Sequence, residues 1–144
     1  KAYESVEKNT EALTYFFKSL GIKLNSNDKK GAAIVYNNIG ACYQKIEEIE
    51  LAIKYNKKAL KLFEELNHQV GKATTLNNIG MMHFKLYQLD TATTYYQESL
   101  SIRRTINDIE GIAISLINLS KIDFEKELRR FFESYLLFVK WINF

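Results

Sequence analysis

The chain contains no proline, so none of its helices is broken by a residue that lacks an amide hydrogen and clashes with the preceding turn. It has one cysteine, Cys42, which excludes an internal disulfide and calls for no oxidising compartment; a cytoplasmic setting is the expectation. Twenty Lys and Arg against seventeen Asp and Glu leave a net charge of +3, too small a surplus to argue for nucleic acid or an anionic membrane surface. No apolar run approaches the roughly 18 to 20 residues of a membrane span, so no insertion is expected. The first residue is Lys1, with no initiator Met and no signal-like stretch, and the chain reads as a segment of something longer. What is present is 144 residues, 47% hydrophobic and 13% aromatic, which excludes disorder and suffices for a core that needs no staples.

Ten residues set the pattern. Gly71 to Gly80, Gly-Lys-Ala-Thr-Thr-Leu-Asn-Asn-Ile-Gly, recurs forty positions earlier as Gly31 to Gly40 and forty later as Gly111 to Ser120. A constant period without insertions is the mark of one supersecondary unit stacked on itself. Within it, Ala33, Tyr36, Ile39, Tyr43 and Ile46 recur at steps of three and four, which predicts a helix over about 30–46 with one buried face. Ile49, Ala52, Ile53, Ala59, Leu60, Phe63 and Leu66 predict a second helix over about 50–66, and Asn67-His68-Gln69 a turn out of it. Each pair is an antiparallel hairpin.

The next unit repeats this with Ala73, Leu76, Ile79, His83 and Leu86, then Leu89, Ala92, Leu100, Ile102 and Ile106. Upstream, Tyr3 and Val6 match the end of a first helix, followed by a helix over about 9–24 with Ala12, Tyr15, Phe16, Leu20 and Ile22. Downstream, Ala113, Leu116, Asn118 and Leu119 begin in register, and then Asp123, Lys126 and Phe132 break it, so an altered last helix is expected over about 127–142. The expected organisation is a single domain over 1–144, with units at about 1–29 (partial), 30–69, 70–109 and 110–144 (divergent).

Tyr36-x-x-Ile39-Gly40-x-x-Tyr43 followed by Ala52, and Leu76-x-x-Ile79-Gly80-x-x-His83 followed by Ala92-x-x-x-Tyr96, resemble the tetratricopeptide repeat (TPR) signature. The small residues fit a close approach of the two helices in a hairpin. The period is longer than the usual 34 or so, and the closing proline is missing. This longer form is similar to the repeats of kinesin light chains, Pins-type adaptors, Rap-type bacterial regulators and bacterial sensor proteins. The resemblance implies an all-α, right-handed superhelical solenoid of antiparallel helix hairpins, non-catalytic, without cofactor, that binds a peptide or partner helix in a concave groove lined by the first helices.

Asn37, Asn38, Asn77, Asn78 and Asn118 stand on those first helices, and a carboxamide can both donate to and accept from an extended backbone whatever its side chains. The competing reading is that they only satisfy neighbouring units. By the same resemblance Gln44, Lys45, Met81, Phe84 and Lys85 face the groove, while Met81 and Phe84 can instead pack on the next hairpin. A chaperone-tail clamp is not expected, because Ile34, Thr74 and Ile114 occupy its basic positions.

No metal site is expected, since His68 and His83 have no Cys or carboxylate at ligand spacing. Glu47, Glu48 and Glu50 fit a helix start, Cys42 a small buried position, and Lys54, Lys57, Lys58, Lys61, Arg103 and Arg104 a solvated outer face. The tail from Phe131 to Phe144 is too apolar for one helix face, and Phe131, Tyr135, Phe138 and Trp141 are candidate interface residues. It docks back as a cap, pairs two chains as a homodimer, or continues into a further repeat; Glu133 and Lys140 argue against a membrane role. Two other functions compete with peptide binding. One is a regulatory input domain of a bacterial signalling enzyme such as a sensor histidine kinase, and the other is self-association through the tail.

Overall fold

Each connection between helices in this chain is three residues long, and the middle one is left-handed: Asn27, Glu47, Asn67, Tyr87 and Asn107 have φ between 51° and 64°. They fall one every twenty residues, so the forty-residue unit is two equal helix-and-turn steps. The computed structural model describes residues 2–142, with side chains from Glu7 onward. The helices are α1 (Ala2–Asn25), α2 (Lys29–Lys45), α3 (Ile49–Glu65), α4 (Gln69–Lys85), α5 (Leu89–Thr105) and α6 (Ile109–Ile142), and no strand occurs among the described residues. Asparagine tolerates the left-handed region. Glu47 and Tyr87 do so at a cost of about 1–2 kcal/mol each, offset by the packing of Ile46 and Ile49 on one side and Leu86 and Leu89 on the other.

The turns between units are capped by side chains. Asp28 Oδ1 accepts from the Gly31 amide at 2.8 Å, His68 Nδ1 from Gly71 at 3.0 Å, and Asp108 Oδ1 from Gly111 at 2.9 Å. Beneath each cap lies the residue five positions earlier. Lys23 Nζ is 2.8 Å from Asp28, Arg103 Nη1 is 2.9 Å from Asp108, and Phe63 packs its ring against His68 with centroids 5.3 Å apart. These are three versions of one contact, two ionic and one aromatic. They leave no room above the capped glycine: a Cβ on Gly71 would come within 2.5 Å of the Phe63 ring.

The helices stack in chain order into an all-α repeat solenoid, each on the one before it. Leu13 and Leu20 of α1 meet Ala32, Val35, Ile39 and Cys42 of α2; Ala33 of α2 meets Ala59 and Phe63 of α3. Ile49 and Ala52 of α3 take Met82 of α4, and Ala92 and Tyr96 of α5 take Ile122 of α6. Cys42, Met82 and Ile122 thus do the same job at forty-residue spacing. Within the hairpins Gly40 lies against Ala52 and Asn56, and Gly80 against Tyr96, so both are small for the expected reason. Tyr43 stacks on Tyr55 and His83 on Tyr95, with centroids 5.4 and 5.3 Å apart.

Two expected hairpins are not formed. The turn expected near residue 8 and the one expected near 127 are both absent, and α1 and α6 run through as single helices of 24 and 34 residues. At 127 the reason is local. Asp123 replaces the aromatic partner that Tyr135 would need, Lys126 replaces the apolar anchor before the turn, and Arg129 and Arg130 pair within the helix with Glu133 and Glu127. Lys126 bonds instead to Asp90 of α5 at 2.8 Å. The tail therefore does not dock back as a cap. With no covering helix, Ala113 and Leu116 are exposed, as are Tyr15, Ile22 and Leu66. Tyr3 and Val6 lie outside the described side chains.

Two outcomes follow from this packing. A Cβ on Gly21 would meet nothing within 4 Å, so Gly21→Ala should stabilise by about 0.5–1 kcal/mol. Gly71→Ala should destabilise by about 1–3 kcal/mol because buried Phe63 cannot yield; urea denaturation of both variants measures the contrast. The second outcome concerns acid. The Lys23 ammonium holds Asp28 below the usual carboxylate range, Lys29 does so for Glu65 and Lys126 for Asp90. Depressed folded values mean stability that is present above the unfolded pKa and lost as pH falls through the folded one, so the denaturation midpoint should drop below about pH 4. A midpoint unchanged between pH 7 and pH 3 would count against these pairs.

Candidate functional site

The first helices α2, α4 and α6 lie side by side, joined by few contacts, and this row carries the asparagines. Three of the five are used up in holding the row together. Asn37 Nδ2 donates to Thr75 Oγ1 at 2.8 Å, and that hydroxyl donates to the Gly71 carbonyl at 2.8 Å. Asn118 Nδ2 donates to Asn77 Oδ1 at 3.0 Å. Ser115 stands where Thr75 stands, but its buried hydroxyl has no partner among the described residues, and Asn77 is engaged by Asn118. Asn38 is exposed and Asn78 half-buried, and neither side chain makes a hydrogen bond among the described residues. These two carboxamides remain available to a ligand.

Gln44 Nε2 donates to Met81 Sδ at 3.7 Å, another link from α2 to α4. Met81 and Phe84 are half-buried against Ala92, Tyr96 and Ile122, so both pack on the next hairpin while keeping part of their surface open. Lys45 and Lys85 are exposed and form no ion pair among the described residues. Phe84 also walls an open cleft of ≈ 590 Å³ with Leu116, Ile117, Ser120, Lys121, Phe124 and Glu125. Ile117, Lys121 and Phe124 are the residues that sequence reasoning left out. They stand forty positions after Asn77, Met81 and Phe84, and carrying the register one unit further would have found them. A second cleft of ≈ 330 Å³, between Tyr87, Leu89, Leu128, Arg129, Phe132 and Glu125, sits where α6 leaves α5.

The other candidates fall into place on different surfaces. Lys54, Lys57, Lys58, Lys61 and Arg104 are exposed on the second helices, as expected. Arg103 is not: it is buried, held by Asp108 and by the Ser99 hydroxyl at 3.2 Å, whose own proton goes to the Ala73 carbonyl. The outer-face reading of Arg103 is corrected on this point. Glu48 precedes α3 without a side-chain cap bond, and Glu50 lies in its first turn. Cys42 is buried, and burial pushes its thiol pKa up, away from the reactive thiolate. His83 Nδ1 meets Gln88 Oε1 at 2.5 Å, and no group of His, Cys, Asp or Glu able to hold a metal occurs among the described residues. Among those residues no helix is long and apolar enough to cross a membrane. Phe131, Tyr135, Phe138 and Trp141 are all exposed along the second half of α6.

Stacked helical hairpins with short left-handed turns, and with small residues at the crossings, define a helical repeat protein. Tetratricopeptide repeat models match residues 33–66 and 72–110, and the chain belongs to the tetratricopeptide repeat family. Among solved structures it is similar to the apo form of RapI, at 29% identity and a TM-score of 0.76, over 90% of this chain and 36% of that one. It is also similar in fold to BtubC (BKLC) from P. vanneervenii, at 21% identity and a TM-score of 0.74, over 81% of this chain and 49% of that one. The chain spans about half the length of BtubC and about a third of RapI. No curated protein matches it significantly. Repeats of this family are in general non-catalytic protein–protein interaction modules, and this chain is a protein–protein interaction module.

The asparagines separate by role, and stability measurements can show it. Thr75→Val removes the acceptor of Asn37 and should cost about 1–2 kcal/mol. Asn38→Ala touches nothing and should change stability by less than about 0.5 kcal/mol. Equal effects in thermal denaturation would contradict the division.

Proposed function

We propose that the chain binds a peptide or partner helix along the row formed by α2, α4 and α6, without catalysing a reaction. The observation that carries this reading is the combination in one row of two unengaged carboxamides, Asn38 and Asn78, with an apolar cleft at Phe84, Ile117 and Phe124. The carboxamides suit the backbone of an extended segment. The cleft suits a large apolar anchor, and polarizable Met81 beside Phe84 lets it adapt to more than one. Lys45, Lys85 and Lys121 along the same helices favour a segment carrying some negative charge. The peptide groove is thus the finer form of a general interaction role.

We place the module in a larger bacterial signalling protein, a setting that the likeness to RapI favours, either as a scaffold or as the input domain of an enzyme such as a sensor histidine kinase, with any activity residing in the rest of that protein.

Peptides selected from a display library against the intact chain provide the test. Fluorescence anisotropy should show their affinity falling about tenfold or more in Asn38→Ala/Asn78→Ala, the scale of one or two lost hydrogen bonds. It should fall at least as far in Phe124→Glu, with helicity unchanged in both. Selected peptides that bind both variants as tightly as wild type would remove the row of first helices as the binding site.

A further inference from the structure

The straight second half of α6 carries a stripe that packing within the chain does not use. Phe124, Leu128, Phe131, Tyr135, Phe138 and Ile142 follow one another at alternating steps of four and three, the spacing of a coiled-coil seam, which lines them up along one side of the helix. All six are exposed, by 38 to 67%. One step earlier the series meets a charge, Lys121. The buried anchor of α6 on α5 is Ile122, and the stripe lies roughly 120–180° round the helix from it, so it faces away from α5.

The residues beside the stripe bear on what covers it. From Leu128 to Ile142 the charged residues are Arg129, Arg130, Glu133 and Lys140, all on the far side of the helix, while the positions flanking the stripe hold Phe132, Ser134, Val139 and Trp141. Charges at flanking positions direct such a helix toward a different partner and away from its own copy. Here there are none, so a second copy meets no like charge. The sizes of the side chains set the direction. Every second member of the stripe is a phenylalanine, at 124, 131 and 138, and Leu128, Tyr135 and Ile142 alternate with them. Two parallel copies would place Phe on Phe and then Leu on Leu, in layers of unequal width. In antiparallel copies every layer holds one phenylalanine and one of the other three, so the layers are more even and close packing is met along the whole seam.

We propose that the chain forms an antiparallel dimer through this stripe, with two straight α6 tails side by side and the twofold axis level with Glu133. Phe131 of one copy meets Tyr135 of the other, Leu128 meets Phe138, and Phe124 meets Ile142. The contact is isologous, so each of these layers occurs twice. The two solenoids lie at opposite ends of the pair, and the last layer reaches Phe124, at the tail end of the cleft that Phe84 and Ile117 also line. A stable interface needs about 800 Å² per partner. Phe124, Phe131, Phe132, Tyr135, Phe138 and Trp141 are each more than half exposed, and aromatic side chains of roughly 150–250 Å² supply most of that area.

The test is a pair of single-cysteine variants of the intact chain, Leu128→Cys and Phe138→Cys, each in a Cys42→Ala background. In the antiparallel pair the introduced thiols of either variant alone are about 15 Å apart, while those of one variant face those of the other. Mild oxidation of the mixture should therefore give a covalent dimer on non-reducing gels, and neither variant alone should. Cross-linking of each variant with itself, or no cross-link in the mixture, would overturn the proposal. Light scattering on wild type should show a dimer that dissociates on dilution. Phe131→Glu/Phe138→Glu should raise its dissociation constant at least about tenfold with helicity retained, and Leu137→Glu, as exposed but off the stripe, should leave it unchanged. A wild-type monomer at every concentration, or equal weakening by Leu137→Glu, would also overturn it. Phe131 and Phe138 lie outside the cleft, so this pairing and peptide binding to the row of first helices fail separately.

Discussion

The constraint on which this structure depends is the crowding beneath each inter-unit cap. A left-handed asparagine reverses the chain, an Asp or His caps the next helix, and the residue five before the cap fills the space under a glycine that cannot carry a side chain. This set occurs three times at forty-residue spacing. Its chemistry changes as a pair: Lys with Asp, Phe with His, Arg with Asp. A cation without its carboxylate would be costly in the tight site at Arg103, which is buried. The paired change keeps the geometry while exchanging an ionic contact for an aromatic one. Because the cap sets the direction of each following helix, it also sets where α2, α4 and α6 lie relative to one another.

The row of first helices divides into residues that maintain it and residues left over. Asn37, Thr75, Asn77 and Asn118 are engaged with one another, and Gln44 reaches Met81. Asn38 and Asn78, one position further round the helix, are not. Adjacent asparagines in the repeat therefore have different work, one binding the array together and the other facing outward. Toward α6 the row becomes apolar, as Ile117 replaces the asparagine of both earlier units and Phe84 and then Phe124 stand where the first of them has Gln44.

Much of this was legible in the sequence, because the repeat acts as its own alignment. The four seventeen-residue helices follow from the spacing of apolar residues, and the small size of Gly40, Gly80, Ala52 and Ala92 from the need for close approach. Arg103 misled because an arginine beside Arg104 reads as surface; only Lys23 and Asp28, in the same register two units earlier, point to its ion pair with Asp108. The missing turns misled for the opposite reason. Periodicity continues through residue 127, since Tyr135 keeps its place, but a turn also needs flanking anchors and an aromatic pair, and Lys126 and Asp123 remove them. The pattern of a helix says which face it buries, and it does not say where the helix must stop.

The central claim is that recognition belongs to the row of first helices and that the second helices are its support. Backbone NMR of the labelled chain, titrated with a peptide selected against it, tests this most directly. The account predicts that the largest shift changes fall on α2, α4 and the first half of α6, centred on Asn38, Asn78, Phe84 and Phe124, with α3 and α5 nearly silent. Changes concentrated on the exposed lysine face of α3, at Lys54, Lys57, Lys58 and Lys61, would contradict it.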